Sequence, residues 1–245
     1  MAATLAREGF QGATRPYDGR FGLFNAYGGR FTDWVDLSLA TAGLGEVWEL
    51  TNVGIKPYPT CHITHAPIDA ALALRDRVDL ARIREIEVRI PHQAFSIVCE
   101  PEANKRRPVS DYDAKFSLHY LVAAALVRGR ITLEELEPEN LRDPEILALV
   151  DRVRYADYPD SPFPKAYSGA VIIRLNDGSE LAHFEPVNRG AADRPLSNAE
   201  IVEKFRVNAA MLLPPRRIAA VEAALLGLDE APDARAALTV AGQPV

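Results

Sequence analysis

Two prolines one residue apart, Pro57 and Pro59, sit inside the densest run of reactive side chains in this sequence, Lys56-Pro57-Tyr58-Pro59-Thr60-Cys61-His62-Ile63-Thr64-His65. Each proline fixes its own φ, lacks an N–H and pushes the residue before it into extended backbone. Neither a helix nor an interior strand can pass through 56–60. The strip must therefore be an extended segment held by contacts from elsewhere in the fold. Directly after it, Thr64 is predicted to start a helix with Pro67 in its first turn and Ile68, Ala71, Leu72 and Leu74 along it.

The rest of the chain divides around that strip. Ala2 to Arg7 has helix-forming composition, starts without a cap and runs into a Gly-rich loop, Glu8 to Gly22, so it reads as the end of a longer helix. Thr32 is placed to cap a helix carrying Trp34, Val35, Leu37 and Leu39, ended by Gly43 and Gly45. Val47 to Val53 is expected to be a strand. Glu85 to Ile90 alternates, with Ile86, Val88 and Ile90 on one side and charges on the other, which is the pattern of a half-buried strand. A polar connection, Glu100 to Pro108, leads to a helix capped by Ser110 with Asp113 and running through Phe116, Tyr120, Leu121 and Leu126 to Gly129. Thr132 with Glu135, and Asp143-Pro144, open further helical segments.

Ala170 to Leu175 and Glu180 to Phe184, joined by Asn176-Asp177-Gly178-Ser179, predict a β-hairpin. Ser197 and Glu200 form a capping box for a helix to about Leu213. Pro214-Pro215 break it, and a last apolar helix runs from Ile218 to Leu226, with a loose tail beyond Asp229. Helices at both ends and mixed strands and helices between them give an α+β class: a central α+β module over 53–190, flanked by pieces of an incomplete all-helical domain over 1–52 and 191–245.

Composition removes several functional classes. A net charge of −6 without a basic stripe argues against a nucleic-acid partner. Two cysteines, Cys61 and Cys99, are no disulfide framework and suit a reducing compartment. The N-terminal residues lack the pattern of a secretory signal, and no apolar run reaches membrane-spanning length, so a soluble, cytoplasmic protein is expected. No metal site is expected, because Cys61, His62 and His65 lack a second spaced pair of ligands and His92, Cys99, His119 and His183 are scattered. A nucleophilic-serine elbow, a G-x-G-x-x-G turn and a P-loop are all missing from the sequence.

What remains is an ammonium, a phenol, a thiol and two imidazoles within ten residues. A lysine there can hold a carboxylate and stabilise enolate-like charge, while an imidazole moves a proton. Lys56, Cys61, His62 and His65 are the candidate catalytic residues. Tyr58, Arg106, Arg107 and Lys115 are candidates for binding substrate, arginine through its two-pronged fork.

The run Lys56 to Ala70 resembles the K-x-Y-P-x-C-x-x-x-H-x-x-x-D-A stretch of the MmgE/PrpD family, which includes 2-methylcitrate dehydratase, cis-aconitate decarboxylase and iminodisuccinate epimerase. Other segments are similar in the family's order: Glu8 to Gly12 with Gly19 to Gly22, Arg107-Pro108 followed by Ala114 to Tyr120, and Gly190 through Pro195-Leu196-Ser197 to Lys204-Phe205. The resemblance implies an α+β lid over a helical domain built from both chain ends, homodimers or a partner chain supplying the helical domain, and a pocket without metal or organic cofactor. It implies a small di- or tricarboxylate substrate and proton transfer next to a carboxylate, giving water loss in a dehydratase or inversion in an epimerase. It also implies pocket residues in a helical region preceding the segment present here, so the alternatives include a non-catalytic partner subunit or an inactive remnant. In the decarboxylase branch a catalytic histidine stands five positions after the lysine, where this chain has Cys61, and that branch's lid tyrosine falls near Phe95. Decarboxylation is disfavoured on that ground.

Overall fold

A computed structural model describes residues 1–17, 20–28 and 36–242. The chain divides into two compact units, Met1–Asn52 and Val53–Val245. The first unit contains helices α1 (Ala2–Arg7) and α2 (Leu23–Gly28), neither with a buried residue. Phe10, Phe21, Tyr27 and Trp48 are exposed. Gly19 and the Thr32 cap with Trp34 and Val35 lie outside the described residues. The described end of that predicted helix, Leu37–Ala40, is a single 3-10 turn, with the Asp36 carboxylate accepting from the Ser38 N–H at 2.9 Å. No strand forms at Val47 to Val53: Glu49–Asn52 is another 3-10 turn. The turn closes on itself, the Thr51 N–H and hydroxyl donating to the Trp48 carbonyl at 3.1 and 2.8 Å.

The second unit is built from helix α3 (His65–Arg75), strand β1 (Ile83–Ile90), short helices α4 (Phe95–Val98), α5 (Glu102–Arg106) and α6 (Asp111–Lys115), helices α7 (Leu118–Arg128) and α8 (Pro144–Val150), strands β2 (Val153–Asp157), β3 (Gly169–Leu175) and β4 (Glu180–Glu185), and helices α9 (Asn198–Ala209), α10 (Pro215–Leu226) and α11 (Ala234–Gly242). The sheet order is β2-β1-β3-β4. β1 pairs parallel to β2, with Val88 opposite Tyr155, and antiparallel to β3, with Ile86 opposite Ile173. β3 and β4 form the expected hairpin, Arg174 opposite Glu180. The architecture is α+β.

Alternation in β1 decides which face is buried. Ile86, Val88 and Ile90 are wholly covered, as are Val171 and Ile173 beside them. On the opposite face Arg174 bridges Glu85, Glu87 and Glu180 in a partly exposed charge ladder. Helix α3 lies on β3, β4 and β1 and packs along α7, which in turn packs on α8. Gly169 lets α3 approach, because a Cβ there would stand 2.6 Å from the Pro67 ring. Burial of Ile68, Leu74, Leu118, Leu121 and Leu126 between these layers supplies the main apolar stabilisation.

Several elements depart from expectation for local reasons. The helix predicted from Ser110 to Gly129 is two helices, because Ser117 restarts it: its hydroxyl accepts from the Tyr120 N–H at 3.0 Å. Gly129 does end it, at φ 72°. Glu100 to Pro108 contains α5, and the tail beyond Asp229 contains α11. Thr132 and Glu135 bracket only a 3-10 turn, in which the Glu135 carboxylate accepts from the Thr132 N–H and hydroxyl, both at 2.7 Å. The capping box at Ser197 and Glu200 is present on both sides. No described helix is long and apolar enough to cross a membrane.

Candidate active site

The strip from Lys56 to His65 is held from three directions. Its start is pinned by close backbone contact: Gly190 has φ 82°, and a Cβ there would fall 1.9 Å from the Ile55 carbonyl oxygen. Its middle is tied to α6 by the Cys61 N–H donating to the Lys115 carbonyl at 2.9 Å. Its end turns through a short 3-10 segment, His62–Thr64, into α3. Thr64 stands before α3 as expected, but its hydroxyl bonds back to the Cys61 carbonyl at 2.7 Å rather than capping the helix.

A buried network anchors Tyr58. Its hydroxyl donates to Asp69 Oδ1 at 2.5 Å, Arg189 Nε donates to the same oxygen at 2.9 Å, and Arg189 Nη2 donates to the Tyr58 hydroxyl at 2.9 Å. Burial and the Asp69 charge raise the Tyr58 phenol well above its ordinary range, so it stays protonated. Arg189 continues to Glu200 at 2.7 Å, which connects the strip to the first turn of α9. The Tyr58 hydroxyl thus both donates and accepts within this network.

Four basic groups gather at the other side of the strip. Lys56 Nζ donates to the Thr60 carbonyl at 3.2 Å, and Lys204, from α9, donates to the Lys56 carbonyl. Burial and the Lys56 charge push the Lys204 ammonium below its ordinary value. Neither lysine forms an ion pair with a described carboxylate. His62 lies half-buried beside them; its ring stacks on Tyr167, centroids 4.6 Å apart and 23° between planes, and stands 5.0 Å from the ring of His65. Burial and then Lys56 lower its pKa.

The two histidines are not equivalent. His65 is 0% exposed. Its Nε2 lies 3.3 Å from the Thr60 carbonyl, which can only accept, so Nε2 carries the proton and Nδ1 is left buried without a partner. Burial, reinforced by His62, pushes its pKa down to about 3. His65 is a neutral, enclosed imidazole, while His62 keeps an accessible edge.

The other sequence candidates are distributed differently. Cys61 is partly buried and packs against the apolar core. Arg106 donates to Glu102 and to the carbonyls of Val150 and Val153, tying α5 to β2. Arg107 forks onto Asp151 at 2.7 and 2.9 Å. Lys115 reaches the site through its backbone, but its ammonium pairs with Asp111 at 2.7 Å. The structure therefore gathers Lys56, His62 and His65, and leaves the guanidinium groups of Arg106 and Arg107 engaged with other partners. His119 and Tyr120 are both buried; the Tyr120 hydroxyl donates to the Glu135 carbonyl at 2.6 Å. Phe95 packs edge-on against Tyr155 at 4.8 Å. Among the described residues no group of three or more His, Cys, Asp or Glu is arranged to hold a metal ion.

Lys204 and Asn188 were not among the sequence candidates. Lys204 belongs to a quoted family-like ending, Lys204-Phe205, but nothing local marks it as facing a strip nearly 150 residues earlier. Asn188 has no motif at all.

Comparison with known proteins places the chain in a family. Residues 58–227 match the MmgE/PrpD C-terminal domain. The chain belongs to the MmgE/PrpD family. It is 27% identical over 262 residues to a cis-aconitate decarboxylase of Aspergillus terreus, covering 100% of this chain and 52% of that protein. It is 28% identical over 222 residues to the cis-aconitate decarboxylase of Homo sapiens, covering 86% and 44%. It is 29% identical over 196 residues to 2-methylcitrate dehydratase of Cupriavidus necator, covering 72% and 39%. The chain spans about half the length or less of these curated relatives. These relatives are lyases, two cis-aconitate decarboxylases and one 2-methylcitrate dehydratase.

Proposed function

We propose that this protein is a lyase of the 2-methylcitrate dehydratase type, removing water from a small di- or tricarboxylate by proton transfer next to a carboxylate. The observation that carries it is the pair of ammonium groups, Lys56 and Lys204, without a described carboxylate partner beside two neutral imidazoles. Burial and the Lys56 charge lower the affinity of Lys204 for its proton, and a bound dianion would offset that repulsion. Lys56 holds the carboxylate next to the reacting carbon. As that carbon loses its proton, negative charge grows on the same carboxylate, so the cation stabilises the transition state more than the ground state. Lys204 holds a second carboxylate. His62 is the histidine that can reach substrate, because His65 is enclosed.

Dehydration is favoured over decarboxylation by Cys61. It occupies the position at which the decarboxylase branch carries its histidine, and its side chain packs toward the core and offers no imidazole. An epimerase shares the proton-abstraction step and stays the neighbouring alternative. A partner-dependent or non-catalytic role has its own support in the exposed Leu225, Leu226 and Leu238 of the last helices and in Phe10, Phe21 and Tyr27. A helical region on the same or another polypeptide would cover such surface and complete the pocket.

The test combines binding with turnover. Calorimetry with citrate and 2-methylcitrate is expected to detect binding that acetate does not reproduce, and K56M and K204M each to weaken it at least tenfold. Turnover of 2-methylcitrate, citrate and iminodisuccinate, measured with the chain alone and with any helical partner polypeptide, separates dehydratase, epimerase and inactive subunit. Full binding retained by K56M would refute the assignment of the strip.

A further inference from the structure

Asn188 sits in the loop between β4 and α9, 1% exposed, and its side-chain amide points at the ring of His62. Its Nδ2 makes two hydrogen bonds, one to His62 Nε2 and one to the Arg189 carbonyl at 3.2 Å. An amide nitrogen has two protons and no acceptor capacity. The Arg189 carbonyl can only accept, so turning the amide over would set two oxygens against each other and put two N–H donors where the buried Oδ1 now stands without a partner; the nitrogen faces this way. Both amide protons are then used, and His62 Nε2 has to supply a lone pair.

The consequence for the imidazole is strict. A neutral ring carries one proton, and with Nε2 accepting, that proton is on Nδ1. A doubly protonated ring would direct an N–H at the amide's own N–H. The groups facing His62 add no counter-charge: they are the Lys56 ammonium, the neutral His65 ring, the Tyr167 ring stacked on it and Asn188 itself. Among the described residues Nδ1 makes no hydrogen bond, and it is the nitrogen left for a ligand.

We propose that Asn188 is a positioning residue that locks His62 as a neutral imidazole with its proton on Nδ1, so that His62 serves the site as an N–H donor to substrate oxygen and not as the proton-accepting base. The inference rests on the reading of this strip as a carboxylate-binding site, and it sharpens the role of His62 within it. A neutral imidazole donor stabilises charge developing on a carboxylate or departing oxygen without itself changing protonation, a use known from other enzymes that build an enolate-like intermediate. Removal of the substrate proton then falls to a base among the pocket residues that the family resemblance assigns to a helical region.

Two-dimensional 15N–1H spectra that report ring-nitrogen shifts distinguish the two neutral tautomers directly. The protein has five histidines, and the signal lost in H62Q identifies His62. In the wild-type protein at pH 7.5 the expected result is Nδ1 protonated and Nε2 bare. In N188D a carboxylate replaces the amide, so the proton moves to Nε2 and the His62 pKa rises by at least one unit, while circular dichroism reports whether the fold is kept. A wild-type ring protonated on Nε2 overturns the proposal by itself, whether or not N188D folds. An unchanged tautomer in folded N188D overturns it as well. Neither result bears on carboxylate binding, which K56M tests separately.

Discussion

The acid stability of this protein is expected to depend on His119, a buried imidazole outside the site. It lies on α7 with 0% exposure, and neither ring nitrogen has a hydrogen-bond partner. The nearest acid, Glu102, stands 3.7 Å from Nε2 and would favour a charged ring. That carboxylate is partly exposed and already accepts two bonds from Arg106, whose own charge works against an imidazolium. Burial dominates, followed by Arg106, and the pKa falls from 6.5 to about 4. At about 1.4 kcal/mol for each tenfold change, that fall corresponds to roughly 3 kcal/mol.

The folded pKa lies below the unfolded one, so between them the unfolded chain binds more protons. Stability is complete above about pH 6.5, declines as the pH falls through that window and levels off below about 4. Urea unfolding of wild type and H119L at pH 7.5 and 4.5 measures this. Leucine removes the titration and two unpaired buried nitrogens. The variant should be at least as stable as wild type at pH 7.5, and its loss on going to pH 4.5 should be smaller by about 2.5 kcal/mol. His65, down at about 3, contributes a similar loss that both proteins share. Equal acid losses in the two proteins would mean that Glu102 does keep His119 charged, and the burial reasoning would be wrong.

Two further outcomes test how the strip is held. D69N should lower stability by about 2 kcal/mol in thermal unfolding, below the usual range for a broken buried pair because a third of the Arg189 side chain is exposed; no change would show the Tyr58 network to be dispensable. G190A places a side chain at φ 82° and against the Ile55 carbonyl, so it should destabilise by at least ~2 kcal/mol and weaken citrate binding with it, whereas tight binding in a stable G190A would remove that contact from the account.

Local signals in the sequence were reliable where one residue's chemistry decides the backbone. Pro57 and Pro59, the Ser197 box, Gly129 and the Asp177-Gly178 turn all produce the expected geometry. Elements that depend on a distant neighbour were hidden. β2 is a five-residue edge strand with exposed Arg154 and Asp157, and only its pairing with β1 makes it a strand. Val47 to Val53, read as a strand from its apolar residues, contains a 3-10 turn instead. The site divides in the same way: Lys56, His62 and His65 declare themselves by crowding, but Asn188, Arg189 and Lys204 acquire meaning only when the fold returns them to the strip. Arg106 and Arg107 illustrate the converse, since a basic pair suggests anion binding until Glu102 and Asp151 are seen beside it.

The seam where Gly190 meets Ile55 also bears on engineering. The two segments it joins lie on either side of the entire sheet in sequence, so a graft that transplants 56–70 alone would carry the lysine and histidines without the amide, the guanidinium and the second ammonium that give them their setting. The smallest exchangeable cassette is the whole stretch from Gly54 to Lys204. Within it, residues 188–204 should be swapped between relatives only as a matched set with the strip.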